Sequence, residues 1–103
     1  MQVFHTSDSL QYNAIDPDIA WVYENGQRTQ PWLFFGSFWE GIKARRLDIR
    51  TGKLSNEDTK LYSLASRNGG PIEGSSSAYR NGWYYLFVSF DHCCAGTNSD
   101  YRY

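Results

Sequence analysis

The sequence predicts an all-β chain built from four-stranded units, the plan of propeller blades, and three observations carry that reading. The first is an internal repeat. Ile15-Asp16, Asn25-Gly26 and Trp32-Leu33-Phe34-Phe35-Gly36-Ser37-Phe38 are echoed by Ile72-Glu73, Asn81-Gly82 and Tyr84-Tyr85-Leu86-Phe87-Val88-Ser89-Phe90. Periods of roughly 40 to 50 residues, with several short strands per unit, mark propeller blades; chance similarity between two aromatic hairpins is the alternative. The second is composition: 41% hydrophobic and 17% aromatic residues rule out a disordered tail. The third is that no segment of about twelve residues keeps a 3.6-residue apolar period, so no helix is expected.

Each element follows in order. Residues 2–6 read as the last strand of a preceding unit. Residues 18–24 alternate in polarity and meet Asn25-Gly26, a hairpin signal. Residues 31–37 form a continuous apolar run, the pattern of a strand buried on both faces. The first copy is longer than the second, and its extra residues fall in a turn at 27–31. A third strand is expected over 41–49, closed by Thr51-Gly52, and a fourth, outer strand over 59–64. The next unit opens near Pro71, with strands at 76–80 and 83–90, and the sequence stops partway through a third strand.

The expected organisation is therefore the end of one blade (1–12), a complete blade (13–66) and an incomplete next blade (67–103). A blade buries its faces against its neighbours, and fewer than about three repeats rarely make a stable core. The expectation is a segment of a longer protein. Its open edges would be covered by the remaining blades or by self-association.

Charge excludes several function classes. Ten Lys and Arg against eleven Asp and Glu give a formal net charge of -1, so no basic surplus exists to neutralise nucleic-acid phosphates or an anionic membrane. The longest apolar runs, 32–35 and 84–88, are far too short to span a bilayer. No basic-then-apolar leader precedes Val3, so no signal peptide is expected in these residues. Lys43, Arg45 and Arg46, with Asp48 and Arg50, read as the solvated face of a middle strand. His92-Cys93-Cys94 lacks the customary zinc spacings, and successive strand residues point to opposite faces. Two reduced cysteines are expected there, with a vicinal disulfide as the alternative. His5 has no evident partner.

Asp16 and Glu73 are the leading candidates for chemistry. Both follow an isoleucine and open the first strand of a repeat, the strand that lines the central channel of a propeller. Two carboxylates sharing a partly desolvated pocket split into one acid and one anion, the equipment for cleaving a glycosidic bond. The competing reading is that each caps a turn. Phe38 and Trp39 follow the buried strand, where rings can stack on sugar faces, and Ser37 and Asn13 can hydrogen-bond ring hydroxyls. Most of the other aromatic residues are expected to pack between blades.

Asn13-Ala14-Ile15-Asp16-Pro17, Gly36-Ser37-Phe38-Trp39 with Gly41-Ile42, Ile72-Glu73-Gly74, and Tyr84 through Asp91 followed by Cys93-Cys94 and Gly96 resemble glycoside hydrolase family 43, and within it the endo-1,5-α-L-arabinanases. The resemblance runs over nearly the whole chain with four motifs in family order. It implies a segment of a five-bladed β-propeller, an extracellular enzyme, and hydrolysis of internal α-1,5 bonds of arabinan with inversion. It assigns Glu73 as general acid and Asp16 as the carboxylate that tunes the acid and orients substrate. Asn13, Ile15, Ser37, Phe38 and Trp39 would line the substrate pocket. The family's general-base Asp matches no residue here, so these residues alone are expected to be inactive. The resemblance also implies a channel metal ion, calcium, in the complete enzyme, with no ligand assigned among these residues. Ser75-Ser76-Ser77 departs from the family, which commonly places Pro or another bulky residue after the Ile-Glu motif. An exo-acting arabinofuranosidase or xylosidase of the same family, or a non-catalytic carbohydrate-binding fragment, are the alternatives.

Overall fold

The structure is a computed structural model that describes residues 12–91 and Thr97. The strand expected at 2–6, His5, and the His92-Cys93-Cys94 cluster lie outside the described residues. Six strands follow one another: β1 (Asp18–Glu24), β2 (Gln27–Phe35), β3 (Ile42–Arg46), β4 (Tyr62–Ala65), β5 (Ile72–Arg80) and β6 (Trp83–Phe90). The first four pair antiparallel in sequence order as one sheet, and β5 pairs with β6. The two Asn-Gly pairs make both hairpins. Asn25 and Gly26 take φ of 52° and 76°, Asn81 and Gly82 take 52° and 81°, and positive φ at both central positions is the type I′ turn whose twist suits paired strands.

Residues 27–31, read from sequence as a turn, are instead ladder. Gln27 pairs with Glu24 and Arg28 with Tyr23; the register then shifts so that Gln30 faces Val22. A bulge at Thr29 takes up the extra residue, and the Thr29 hydroxyl donates to the Val22 carbonyl at 3.2 Å. β2 ends at Phe35, two residues earlier than expected, and of its apolar run only Pro31 and Phe35 are fully buried. The rest is half-covered, because one face of the sheet carries an apolar groove of about 350 Å³ lined in part by Trp32, Phe34, Tyr62 and Leu64.

β3 is shorter than the 41–49 expectation. Leu47 continues it only as a single bridge to Leu54, and the chain turns at Asp48, which accepts the Arg50 N–H at 2.8 Å. The expected solvated face also needs correcting, since Lys43 is 5% exposed. Lys43 sits opposite Ser63 of β4, donates to its hydroxyl at 2.6 Å and pairs with Glu40 at 3.4 Å. A buried ammonium persists when such acceptors surround it.

The apolar core comprises Ala20, Phe35, Ile42, Ala44, Leu47 and Ile72. Ile72 is the member contributed by the second hairpin, and fully burying such a side chain stabilises by about 1.5–3 kcal/mol. Further contacts tie that hairpin to the sheet. The Tyr23 ring stacks on Tyr79 at 4.7 Å, and the Tyr23 N–H donates to the Tyr84 hydroxyl at 3.0 Å. Arg67, in the connection after β4, donates to the Pro71 carbonyl and the Asp91 carboxylate and lies over the Phe90 ring.

Candidate active site

The site forms where the entry to β1, the end of β2 and the start of β5 converge. At the entry, the Gly36 N–H donates to the Ile15 carbonyl at 2.9 Å, pinning Ile15 to the end of β2. The chain then turns at Asp16, whose φ is 56°, a left-handed backbone that Asp tolerates better than most side chains. Asp16 therefore precedes β1 by two residues rather than opening it, whereas Glu73 is the second residue of β5.

Despite that difference Asp16 reaches the backbone beside Glu73. The Asp16 Oδ2 accepts the N–H of Gly74, the residue after Glu73, at 3.3 Å. Glu73 Oε2 accepts the Ser37 hydroxyl at 2.9 Å, and Ser37 is 3% exposed. That bond holds the Glu73 carboxyl in one orientation. A bulge between Glu73 and Ser76 bends β5 just beyond the acid, as bulges beside active sites do.

Residues 37–40 form a tight turn bracketed by two glycines. Gly36 has φ of 127° and Gly41 of 84°. A Cβ on Gly36 would run into the Gly41 carbonyl, and one on Gly41 into the Ala65 carbonyl. Inside the bracket Phe38 and Trp39 also take positive φ, 53° and 34°, at a cost of about 1–3 kcal/mol each. The surrounding backbone holds them there. The Phe38 N–H donates to the Ile72 carbonyl at 2.7 Å, the Gly41 N–H donates to the Phe38 carbonyl at 2.6 Å, and Trp39 bridges to Gly69. The outcome is an indole that is 39% exposed on a turn bonded to the strand carrying Glu73.

A hydrogen bond thus joins Ser37 to Glu73, Asp16 is bonded to the backbone of the next residue, Gly74, and Phe38 and Trp39 lie on the same turn as Ser37. Asn13 is partly buried and Ile15 exposed on the entry segment. Sequence reasoning missed three partners of this assembly: the Gly74 N–H, the Lys43–Glu40 pair beneath the turn, and the bonds from Ser77 to Asp18. The Asp-x-Asp spacing of Asp16 and Asp18 was the one signal for the last of these.

Among the described residues, Asp48 and Asp58, in the connection between β3 and β4, are carboxyl groups held below their ordinary range. Asp48 is lowered by its hydrogen bonds with Arg50, and Asp58 by the Tyr62 hydroxyl, which donates at 2.8 Å. A groove of about 390 Å³ between the sheet and the second hairpin is lined by Trp21, Tyr23, Arg28, Tyr79 and Tyr84 among others, and includes neither Asp16 nor Glu73. Among the described residues no three His, Cys, Asp or Glu side chains converge on a place for a cation.

The chain is 47% identical over 102 residues to extracellular endo-α-(1→5)-L-arabinanase 1 of Bacillus subtilis, a match covering 97% of this chain and 29% of that protein. It superposes on a GH43 endo-arabinanase from Bacillus licheniformis with a TM-score of 0.78 and 50% identity, over 93% of this chain and 31% of the other. An exo-1,5-α-L-arabinanase from a bovine ruminal metagenomic library gives a TM-score of 0.78 at 34% identity, over 96% of this chain and 32% of the other. The chain thus spans about a third of the length of these relatives, and its six strands are a segment of the five-bladed β-propeller that they adopt. The model of the family described as glycosyl hydrolases family 43 matches residues 2–103, and the chain belongs to that family.

Proposed function

We propose that this chain is part of a longer extracellular enzyme that hydrolyses internal α-1,5-L-arabinofuranosidic bonds of arabinan with inversion. The observation that carries the reading is that Asp16, on the entry to β1, accepts the N–H of the residue after Glu73, while Glu73 itself accepts the Ser37 hydroxyl. The names of the relatives support arabinan as the substrate class, and the name of the Bacillus subtilis relative supports secretion.

In this reading Glu73 delivers a proton to the oxygen of the departing sugar, and the Ser37 hydroxyl fixes the direction of delivery. Asp16, bonded to the N–H of the residue after Glu73, orients the substrate. Inversion requires water to attack the opposite face of the sugar, with acid and base carboxyls roughly 6.5–9.5 Å apart to admit it. That base is contributed by a residue outside this chain. Trp39, Phe38, Ile15 and Asn13 supply stacking surface and hydrogen bonds for the arabinose units.

The test is Glu73→Gln in the complete polypeptide, read as hydrolysis of linear arabinan. The expected loss is about a thousandfold or more, the scale of removing an essential proton donor with its binding contacts left in place. Retention of a tenth of the rate would reject Glu73 as the acid. The likeness to the exo-acting metagenomic enzyme supports a second reading, removal of terminal sugars. Short oligomers released early indicate internal cutting, whereas monomers alone indicate the exo mode.

A further inference from the structure

The bulge in β5 decides where Glu73 points, and two carboxylates from the entry to β1 grip it on either side. Asp16 holds the Gly74 N–H. Three residues on, Asp18 Oδ2 accepts both the N–H of Ser77 at 3.0 Å and its hydroxyl at 3.1 Å. Between the grips the register shifts, and Ser75 is buried with a hydroxyl that has no hydrogen-bond partner. The Ser75 side chain therefore gives the bulge no polar anchor of its own.

An extra residue in a strand can migrate along it, and each one-residue shift turns the intervening side chains to the other face. Glu73 lies directly beside the shift, so its direction depends on where the extra residue is held. A carboxylate that accepts two bonds from one residue sets that position more sharply than a single neutral bond does.

We propose that Asp18 and Ser77 form a clasp between the two sheets that fixes the bulge and so aims the Glu73 carboxyl. Asp18 is a positioning residue that touches no substrate. The inference rests on the reading of Glu73 as general acid. It assigns a purpose to Ser77, the last residue of the serine run that departs from the family pattern.

Two measurements test it. In the complete polypeptide, Asp18→Ala is expected to lower kcat on linear arabinan by about 10- to 100-fold with KM held within about twofold, the pattern of a group that acts only on the proton-transfer geometry. Ser77→Ala is expected to lose about three- to tenfold in kcat, and Ser77→Thr, which restores the hydroxyl, to stay within about twofold of the parent. A loss confined to KM, or a Thr variant as impaired as the Ala variant, would overturn the clasp.

The second measurement is amide hydrogen exchange in the complete polypeptide, with the Ala44 amide of the core strand as control for folding. Asp18→Ala should speed exchange at Gly74 as well as Ser77 by about tenfold, because loosening one grip frees the whole bulge. Faster exchange at Ser77 with Gly74 unchanged would overturn the proposal. Ser77→Ala supplies the same readout if the Ala44 control shows that Asp18→Ala has unfolded. The exchange result stands apart from the general-acid reading, which the Glu73→Gln rate decides.

Discussion

The hairpins β1–β2 and β5–β6 are two copies of one sequence plan with different outcomes. Both turn on Asn-Gly, both run an aromatic strand towards a Ser-Phe pair, and both carry an isoleucine and an acid at their start. In the first copy Gly36 sits at φ 127° and the strand stops at Phe35, so Ser37 and Phe38 leave the sheet as a turn. In the second copy Val88 occupies the matching position and β6 runs on to Phe90. One residue type decides whether the Ser-Phe pair forms a turn or continues a ladder.

The bulges differ as well. In the first hairpin the bulge lies near the turn, at Val22 and Tyr23, far from the acid. In the second it lies immediately after Glu73. The matched isoleucines diverge in step: Ile72 is 2% exposed and Ile15 is 44% exposed. Internal repetition therefore specifies strands and turns. The function of each copy depends on where one glycine and one extra residue fall.

The sharpest way to break the comparison is Gly36→Val, which gives the first copy the residue of the second. A valine there would combine a disfavoured φ with a clash against the Gly41 carbonyl, and the expected destabilisation is about 3 kcal/mol or more by chemical denaturation. A variant as stable as the parent would show that the turn does not need its glycine.

A matched pair of truncations gives the next effect. Ile72→Ala should destabilise by about 2–5 kcal/mol, as for a core isoleucine. Ile15→Ala should stay within about 0.5 kcal/mol, as for an exposed side chain. Equal losses would mean that the two isoleucines share one environment after all.

The smallest expected effect concerns β4, an element for which the second hairpin has no described counterpart. Asp58 is lowered by the hydrogen bond from Tyr62, and Tyr62 is raised by the same bond. The Asp58 contribution to stability is complete above the ordinary carboxylate value of 3.8. It is lost as pH falls through its lower folded value. The Tyr62 contribution is complete below 10.0 and is lost as pH rises through its higher folded value. Tyr62→Phe should return the Asp58 midpoint, followed by carbonyl NMR, towards 3.8; an unmoved midpoint would remove Tyr62 as the cause.

Much of this was legible in the residues. The β1 span follows from alternation and the β6 span from an apolar run, each beside an Asn-Gly turn, signals that act over neighbouring residues and need no partner to be read. Residues 27–31 misled because Gln, Arg and Thr beside a turn resemble a loop, while a bulge absorbs an extra residue without leaving a strong local signature. Lys43 misled for a related reason: charge alone implies solvent, and only the arrival of Ser63 and Glu40 makes burial tolerable.

What the sequence determined by itself was local: the all-β character, two hairpins drawn from two copies of one pattern, two primed turns, and the acid that follows the isoleucine of each copy. What only the tertiary structure decided was the meeting of Ser37 with Glu73 and of Asp16 with the Gly74 N–H. The distinction is physical. A turn or an alternating strand is stabilised by contacts among near neighbours in the chain. A carboxylate is aimed by groups that stand dozens of residues away until the sheets pack, and no local pattern records which of them will arrive.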